Sequence, residues 1–318
     1  MKAGRRPPSF LLVNPTALAR LFVIAVAAVS MTARASPVLP RLLLLDGTAA
    51  GSDIVVVGER GTILRSSDQG HSWLGAPVAT SATLTGVSFA AGTPHGWVVG
   101  HDALILATDD GGLTWHRQWQ GENLQDSFLD VLAIDARNVF AVGAYGLFLT
   151  TTDGGKTWTR RKIIDEDFHL NRITCGPTGT LYLAGERGTL LRSADHGVTW
   201  ARIDSPYDGS FYGILPLDSH TLVAHGLRGR IYRSVDDGEK WEPVANDQRV
   251  LIATALQLKG GPIVFAGQSR ALLVSRDHAK TITAWPAPLA TAVSKLIELP
   301  DGSVLALGEA GAVILPRP

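Results

Sequence analysis

The side chains of this sequence best placed to do chemistry come in pairs, each following a glycine: Glu59-Arg60, His101-Asp102, Ala144-Tyr145, Glu186-Arg187, Leu227-Arg228, Gln268-Ser269 and Glu309-Ala310. The pairs vary while the glycines do not. Arg60, Arg187 and Arg228 can grip a carboxylate through the forked N–H donors of guanidinium. Glu59, His101, Asp102, Tyr145, Glu186, Gln268 and Glu309 would surround them with mixed charge. Such a set suits a carboxylate, a peptide tail or a polar protein surface. The plainer alternative is a row of solvated hairpin tips with local Glu–Arg pairs.

The glycines belong to a period. Ten residues after each of Gly58, Gly100, Gly143, Gly185, Gly226 and Gly267 stands an aspartate: Asp68, Asp110, Asp153, Asp195, Asp236 and Asp277, at intervals of 42, 43, 42, 41 and 41 residues. Each aspartate sits in a short box: SDQGHSW, DDGGLTW, TDGGKTW, ADHGVTW, VDDGEKW and a degenerate RDHAKTI. Gly308 continues the series as a seventh. Between boxes, segments such as LTGVSFA, GWVVG, ALILAT and TWHRQWQ read as four short strands with tight turns. One such unit cannot bury both its faces, so the spacing predicts radial stacking into an all-β, seven-bladed β-propeller of four-stranded antiparallel blades.

Each box is expected to be the turn between the third and fourth strands. Its aspartate can accept bonds from nearby N–H groups, its glycines permit positive φ, and its tryptophan can pack between blades. With one or two carboxylates per box, calcium binding is not indicated. The turns between second and third strands then share the opposite face with the links between blades, so the glycine-bracketed pairs are the expected binding face.

The box pattern S/T-x-D-x-G-x-T-W resembles the Asp box, or bacterial neuraminidase repeat. The longer phrase, an apolar strand, then VG-x-x-G, then T-x-DGG-x-TW, is similar to the photosystem II stability and assembly factor family of seven-bladed propellers, over about residues 41–315. That resemblance implies a non-enzymatic scaffold holding a membrane protein or its exported segment; a monomer without a cofactor is expected. Asp boxes also occur in sialidases, which implies an alternative, a glycoside hydrolase with three converging arginines, a tyrosine nucleophile and a glutamate. Arg60, Arg187, Arg228 and Tyr145 could be nominated, but the Ile-Pro arginine motif that opens those enzymes is absent, and they resemble six-bladed rings. A carbohydrate-binding propeller is the third reading. No P-loop, zinc motif or nucleophile elbow points to another enzyme class.

Phe128, Phe168, Phe211 and Tyr212 occupy comparable places just before a first strand; most are expected in the outermost core layer, and any left exposed would make an adhesive rim. His225 fills a slot held elsewhere by Val57, Val99, Val142, Ala184, Ala266 and Leu307; it is expected to be hydrogen-bonded in the core or to face the central channel. Cys175 is the only cysteine, which excludes an intrachain disulfide, and is read as a small buried hydrophobe. The histidines show no metal spacing.

Residues 1–35 differ in kind. Lys2, Arg5, Arg6 and Arg20 precede an apolar run over 21–31, and Ala33-Arg34-Ala35 resembles a cleavage site. The run is short of the ~20 residues a membrane span needs, so residues 1–35 are read as a cleaved signal peptide and 36–318 as one propeller domain without an integral span, periplasmic or extracellular. Without residues 1–35 the chain carries 24 basic and 29 acidic residues, which gives no electrostatic case for nucleic acid. Residues 36–40 are expected to run beside 312–315 as the missing outer strand of the last blade. A three-stranded last blade, or six full blades with the ends arranged differently, are the alternatives.

Overall fold

Seven antiparallel sheets are arranged as blades in chain order, over residues 44–75, 84–120, 128–160, 170–202, 211–243, 252–284 and 293–315. This is the architecture of the computed structural model, which describes residues 42–318 together with Met1 and Gly4. The first six sheets have four strands each; the seventh has three among the described residues, Val293–Glu298, Val304–Gly308 and Gly311–Leu315. The strand expected from residues 36–40 lies outside the described residues, as does the leader read over 1–35 apart from Met1 and Gly4.

The second strand of every blade is buried along its whole length, for example Asp53–Gly58 and Val139–Gly143. It lies between two neighbours in its own sheet and between two blades, so nearly every side chain there is apolar. Each box tryptophan clusters with the preceding blade: Trp115 with Val55 and Val57, Trp158 with Trp97 and Ala107, Trp73 with Leu299 and Leu305 of the last blade. This last contact helps close the ring. In the degenerate box Ile282 takes the tryptophan's place, against Val223 and Ile231.

The boxes are hydrogen-bonded circuits. The Thr151 hydroxyl donates to Asp153 Oδ1 (2.8 Å) and accepts the Gly155 N–H (2.9 Å), while Asp153 accepts the Thr157 N–H (2.9 Å) and hydroxyl (2.7 Å). The degenerate box keeps the circuit through Ser275, Asp277, Ala279 and Thr281. Hydrogen bonds from the hydroxyl four residues on, joined by that residue's N–H, hold Asp68, Asp153, Asp195 and Asp277 at about 2 instead of 3.8. At Asp110 slight burial pushes upward and the same bonds outweigh it, again to about 2. A carboxylate whose pKa is lower folded than unfolded stabilises the fold above the unfolded value and loses that contribution as pH falls through the folded one. The box contribution will therefore stay level from pH 7 to about 4 and be lost between about pH 4 and 2, as a fall in melting temperature across that lower window would show by calorimetry; a loss between about pH 6.5 and 4 belongs instead to His225, held at about 4, and no fall between about pH 4 and 2 would mean the circuits do not matter.

Every first strand carries a one-residue bulge at the same place, after Leu44, Leu84, Phe128, Leu170, Phe211, Ile252 and Val293. These seven openers are almost completely buried. The bulge brings the carbonyl before the opener against the periodic glycine: a Cβ on Gly143 would stand 2.1 Å from the Ser127 oxygen, and one on Gly267 1.9 Å from that of Leu251. Close approach, with the backbone extended at φ −169 and −177, is why this position is glycine in every repeat.

Phe128 and Phe211 are 1% and 0% exposed openers, the core alternative of the two expected for them, because the bulge turns them between blades. One sequence expectation is corrected. Cys175 is exposed, not buried: it is the last residue of its strand, Leu170–Cys175, beyond the cluster around Ile173 and Leu183. Partial desolvation pushes its thiol up, away from thiolate.

Candidate functional site

The hairpin tips bearing the paired residues share a left-handed geometry. The pair's second residue has positive φ at Arg60 (56°), Asp102 (58°), Tyr145 (55°), Arg187 (48°), Arg228 (58°) and Ser269 (51°), and so does the residue after each. Two consecutive left-handed residues make a type I′ turn, closed by bonds such as Thr62 N–H to Glu59 O (3.1 Å) and Thr189 N–H to Glu186 O (2.9 Å). For arginine and tyrosine this backbone costs about 1–2 kcal/mol each. It throws the side chain outward; Arg60 and Tyr145 are 83% and 64% exposed.

The tips are also anchored. The N–H after the pair donates to the link toward the next blade: Gly61 to Ala82 O, Ala103 to Asp126 O, Gly146 to Phe168 O, Gly188 to Gly209 O (each 2.8 Å) and Gly229 to Val250 O (2.6 Å). Tips and links thus form one fixed platform on one face of the ring.

Within it the charged residues divide. Glu59 Oε1 accepts the Leu43 N–H (3.1 Å) and Glu186 Oε2 the His169 N–H (2.9 Å), so these carboxylates cap the start of their own first strands. The arginines beside them are left to solvent: Arg60 reaches Glu59 only at 4.0 Å, and Arg187 lies over the Phe168 ring at 5.6 Å. Tyr145 meets the His169 ring edge-on at 4.8 Å, and His169 Nδ1 is 3.2 Å from Glu186. Phe168 is half-buried as the base of this cluster, while Tyr212 is half-buried in the central channel and is not at the rim. His101, Asp102, Gln268 and Glu309 are exposed, Gln268 and Glu309 lining one shallow cavity.

Arg228 lines a cavity of about 330 Å³ with Arg230, Arg249, Asn246, Pro243 and Val244. No carboxylate lines it. Arg230 lies over the Tyr207 ring at 5.9 Å and Arg249 Nη1 donates to the Gln248 carbonyl (2.9 Å). Sequence reasoning missed Arg230 and Arg249; the link 245–251 brings Arg249 beside a tip to which it has no sequence spacing.

Sequence reasoning set only His225 against the channel and missed its charged residues. The residue after the bulge lines the channel in six blades, giving Asp46, Asp130, Arg172, Gly213, Thr254 and Lys295, and Gly86 holds the equivalent place in blade two. Arg172 Nη1 lies 3.5 Å from Asp46 Oδ1 and 3.3 Å from Asp130 Oδ1, and Lys295 Nζ 2.8 Å from Asp46 Oδ1. The other carboxylate oxygens accept N–H groups of the next blade, Val87 at 3.0 Å and Ile173 at 2.9 Å. Burial would raise Asp46, but Lys295 and Arg172 reverse this and hold it below its ordinary value. At Asp130 burial wins, helped by the Asp46 charge, and its carboxyl is raised. His225 answers both alternatives at once: it lines the channel where Gly213 leaves room, and its Nδ1–H donates to the Ile252 carbonyl (2.9 Å). Burial holds it down at about 4, neutral at pH 7.

Among the described residues no group of three metal-ligating side chains occurs, and no helix is long and apolar enough to cross a membrane.

Compared with known proteins, residues 116–313 match the family model described as "Photosynthesis system II assembly factor YCF48". A stretch of 80 residues is 35% identical to the chloroplastic photosystem II stability/assembly factor HCF136 of Cyanidioschyzon merolae; it makes up 24% of this chain and 18% of that protein. Among solved structures, "YCF48 bound to D1 peptide" superimposes with TM-score 0.72 at 19% identity, covering 90% of this chain and 94% of the other. YCF48 from Cyanidioschyzon merolae gives 0.71 at 18%, over 90% and 98%. Identities this low carry the fold alone.

Proposed function

From a chain that belongs to the photosynthesis system II assembly factor YCF48 family, we propose an exported, non-enzymatic scaffold that binds a segment of a membrane protein while a larger complex forms. The observation that carries this reading is the platform of outward arginines. Arg60, Arg187 and Arg228 stand on left-handed turns tied to the blade links, the glutamates beside Arg60 and Arg187 are spent as strand caps, and the Arg228 cavity holds Arg230 and Arg249 without an acid. A surface so built favours an extended segment with acidic side chains or a free carboxylate, gripped by charge-assisted pairs. One neighbour in fold is a YCF48 bound to a D1 peptide, which supports a peptide as the ligand. Export and action as a monomer rest on the reading of the sequence.

The test uses the mature chain and synthetic peptides from exported tails of membrane proteins, each made with a free and an amidated C-terminus. The Arg60→Ala/Arg187→Ala/Arg228→Ala variant is expected to bind at least ~10-fold more weakly than wild type, about 1.4 kcal/mol, with an unchanged melting temperature because the three side chains are solvated. Equal binding by both proteins would put the site elsewhere. Binding by neither, with hydrolysis of a sialoside, would return the glycosidase alternative.

A further inference from the structure

We propose that the central channel is a second, separate site, which takes a small aliphatic monocarboxylate. Only some groups of the channel ring have hydrogen-bonding capacity left. All four oxygens of Asp46 and Asp130 are engaged, by Lys295, Arg172 and the Val87 and Ile173 N–H groups. Their side chains are 1% and 4% exposed. Arg172 and Lys295 stand 23% and 26% exposed, and both have donors to spare. Arg172 reaches the carboxylates through Nη1 alone, and the Lys295 ammonium, with three N–H groups, has one partner. The ring is formally neutral, yet what it shows to the channel is cationic and donor-rich because the acids are turned into the wall.

The complement of unspent donors is an acceptor, and the complement of cations with buried counter-charges is an anion. Thr254, 6% exposed on the same ring, adds a hydroxyl with no hydrogen-bond partner among the described residues. Deeper along the channel Leu132, Leu215 and Leu256 supply an apolar wall. The cavity measures about 290 Å³, at the lower edge of the ~300–1,000 Å³ of ligand sites, so a short chain fits and a folded peptide does not. Neutral His225 offers no charge of its own and leaves the cationic side to Arg172 and Lys295.

Sodium butyrate is the probe and n-butylamine, with the same tail and opposite charge, the control. Titrations followed by saturation-transfer NMR on the mature chain are expected to show saturable butyrate binding and none of the amine. Lys295→Met should weaken butyrate at least ~10-fold, the worth of a charged hydrogen bond. Thr254→Val, which touches no ion pair, should weaken it several-fold and guards against a Lys295 variant that fails to fold. The Arg60→Ala/Arg187→Ala/Arg228→Ala variant should bind butyrate like wild type, which separates this site from the outer platform. Loss of butyrate in that variant, equal binding of the amine, or indifference to both channel substitutions would overturn the proposal.

Discussion

Arg172→Met will cost the fold about 3 kcal/mol, at the low end of what breaking a buried ion pair costs because the guanidinium retains 23% exposure. The loss exceeds that of a surface pair because of what is left behind. Asp130 would keep only the Ile173 N–H bond, and Asp46 would depend on Lys295 and the Val87 N–H, both in a wall that admits almost no water. Chemical denaturation measures this as a lower midpoint with an unchanged slope. The companion variant Asp130→Asn/Arg172→Met should recover part of the loss, since the stranded charge is removed along with its partner. A midpoint within error of wild type would mean that the four-residue cluster behaves like an exposed surface pair and does not tie blades one, three, four and seven together.

Phe211→Ala will be about as damaging, at roughly 3–5 kcal/mol. Phe211 is fully buried in the opener slot of blade five, meets the Tyr207 and Tyr232 rings edge-on at 5.8 and 6.1 Å, and its carbonyl accepts the Asn171 side-chain N–H at 2.7 Å. Truncation would open a cavity between two blades that the bulged backbone cannot collapse to fill. Phe168→Ala, at a half-buried position under Arg187, should cost less. Comparing the two midpoints separates core from platform within one pair of aromatic residues that look alike in sequence; equal costs would contradict the assignment of Phe211 to the core and Phe168 to the surface.

Much of this protein follows from local, repeated chemistry. The period of about 42 residues, the box aspartates, and the placement of the paired residues at tips opposite the boxes were all legible because each rests on a short pattern, about ten positions from glycine to aspartate, that recurs along the chain. A turn that needs an aspartate to accept specific N–H groups, or a strand that must be apolar on both faces, writes its requirement directly into adjacent residues. The glycine before each tip was visible as a periodic mark, although its reason, a carbonyl at about 2 Å from any Cβ, was not.

The tertiary structure decided what depends on the ring and on the bulge. Arg172 meets Asp46 across 126 residues, and no spacing rule connects blades that become neighbours of one channel only when the circle closes. A single bulge in each first strand changes which side chains face the channel, so simple alternation could not say that Asp46, Asp130, Arg172 and Lys295 point inward or that Phe128 and Phe211 are core. The same lack of distant information hid the use of Glu59 and Glu186 as caps and the meeting of Arg228, Arg230 and Arg249. Sequence determines the repeated unit because its interactions are short-range; which charges are spent and which remain free is settled only where separate repeats touch.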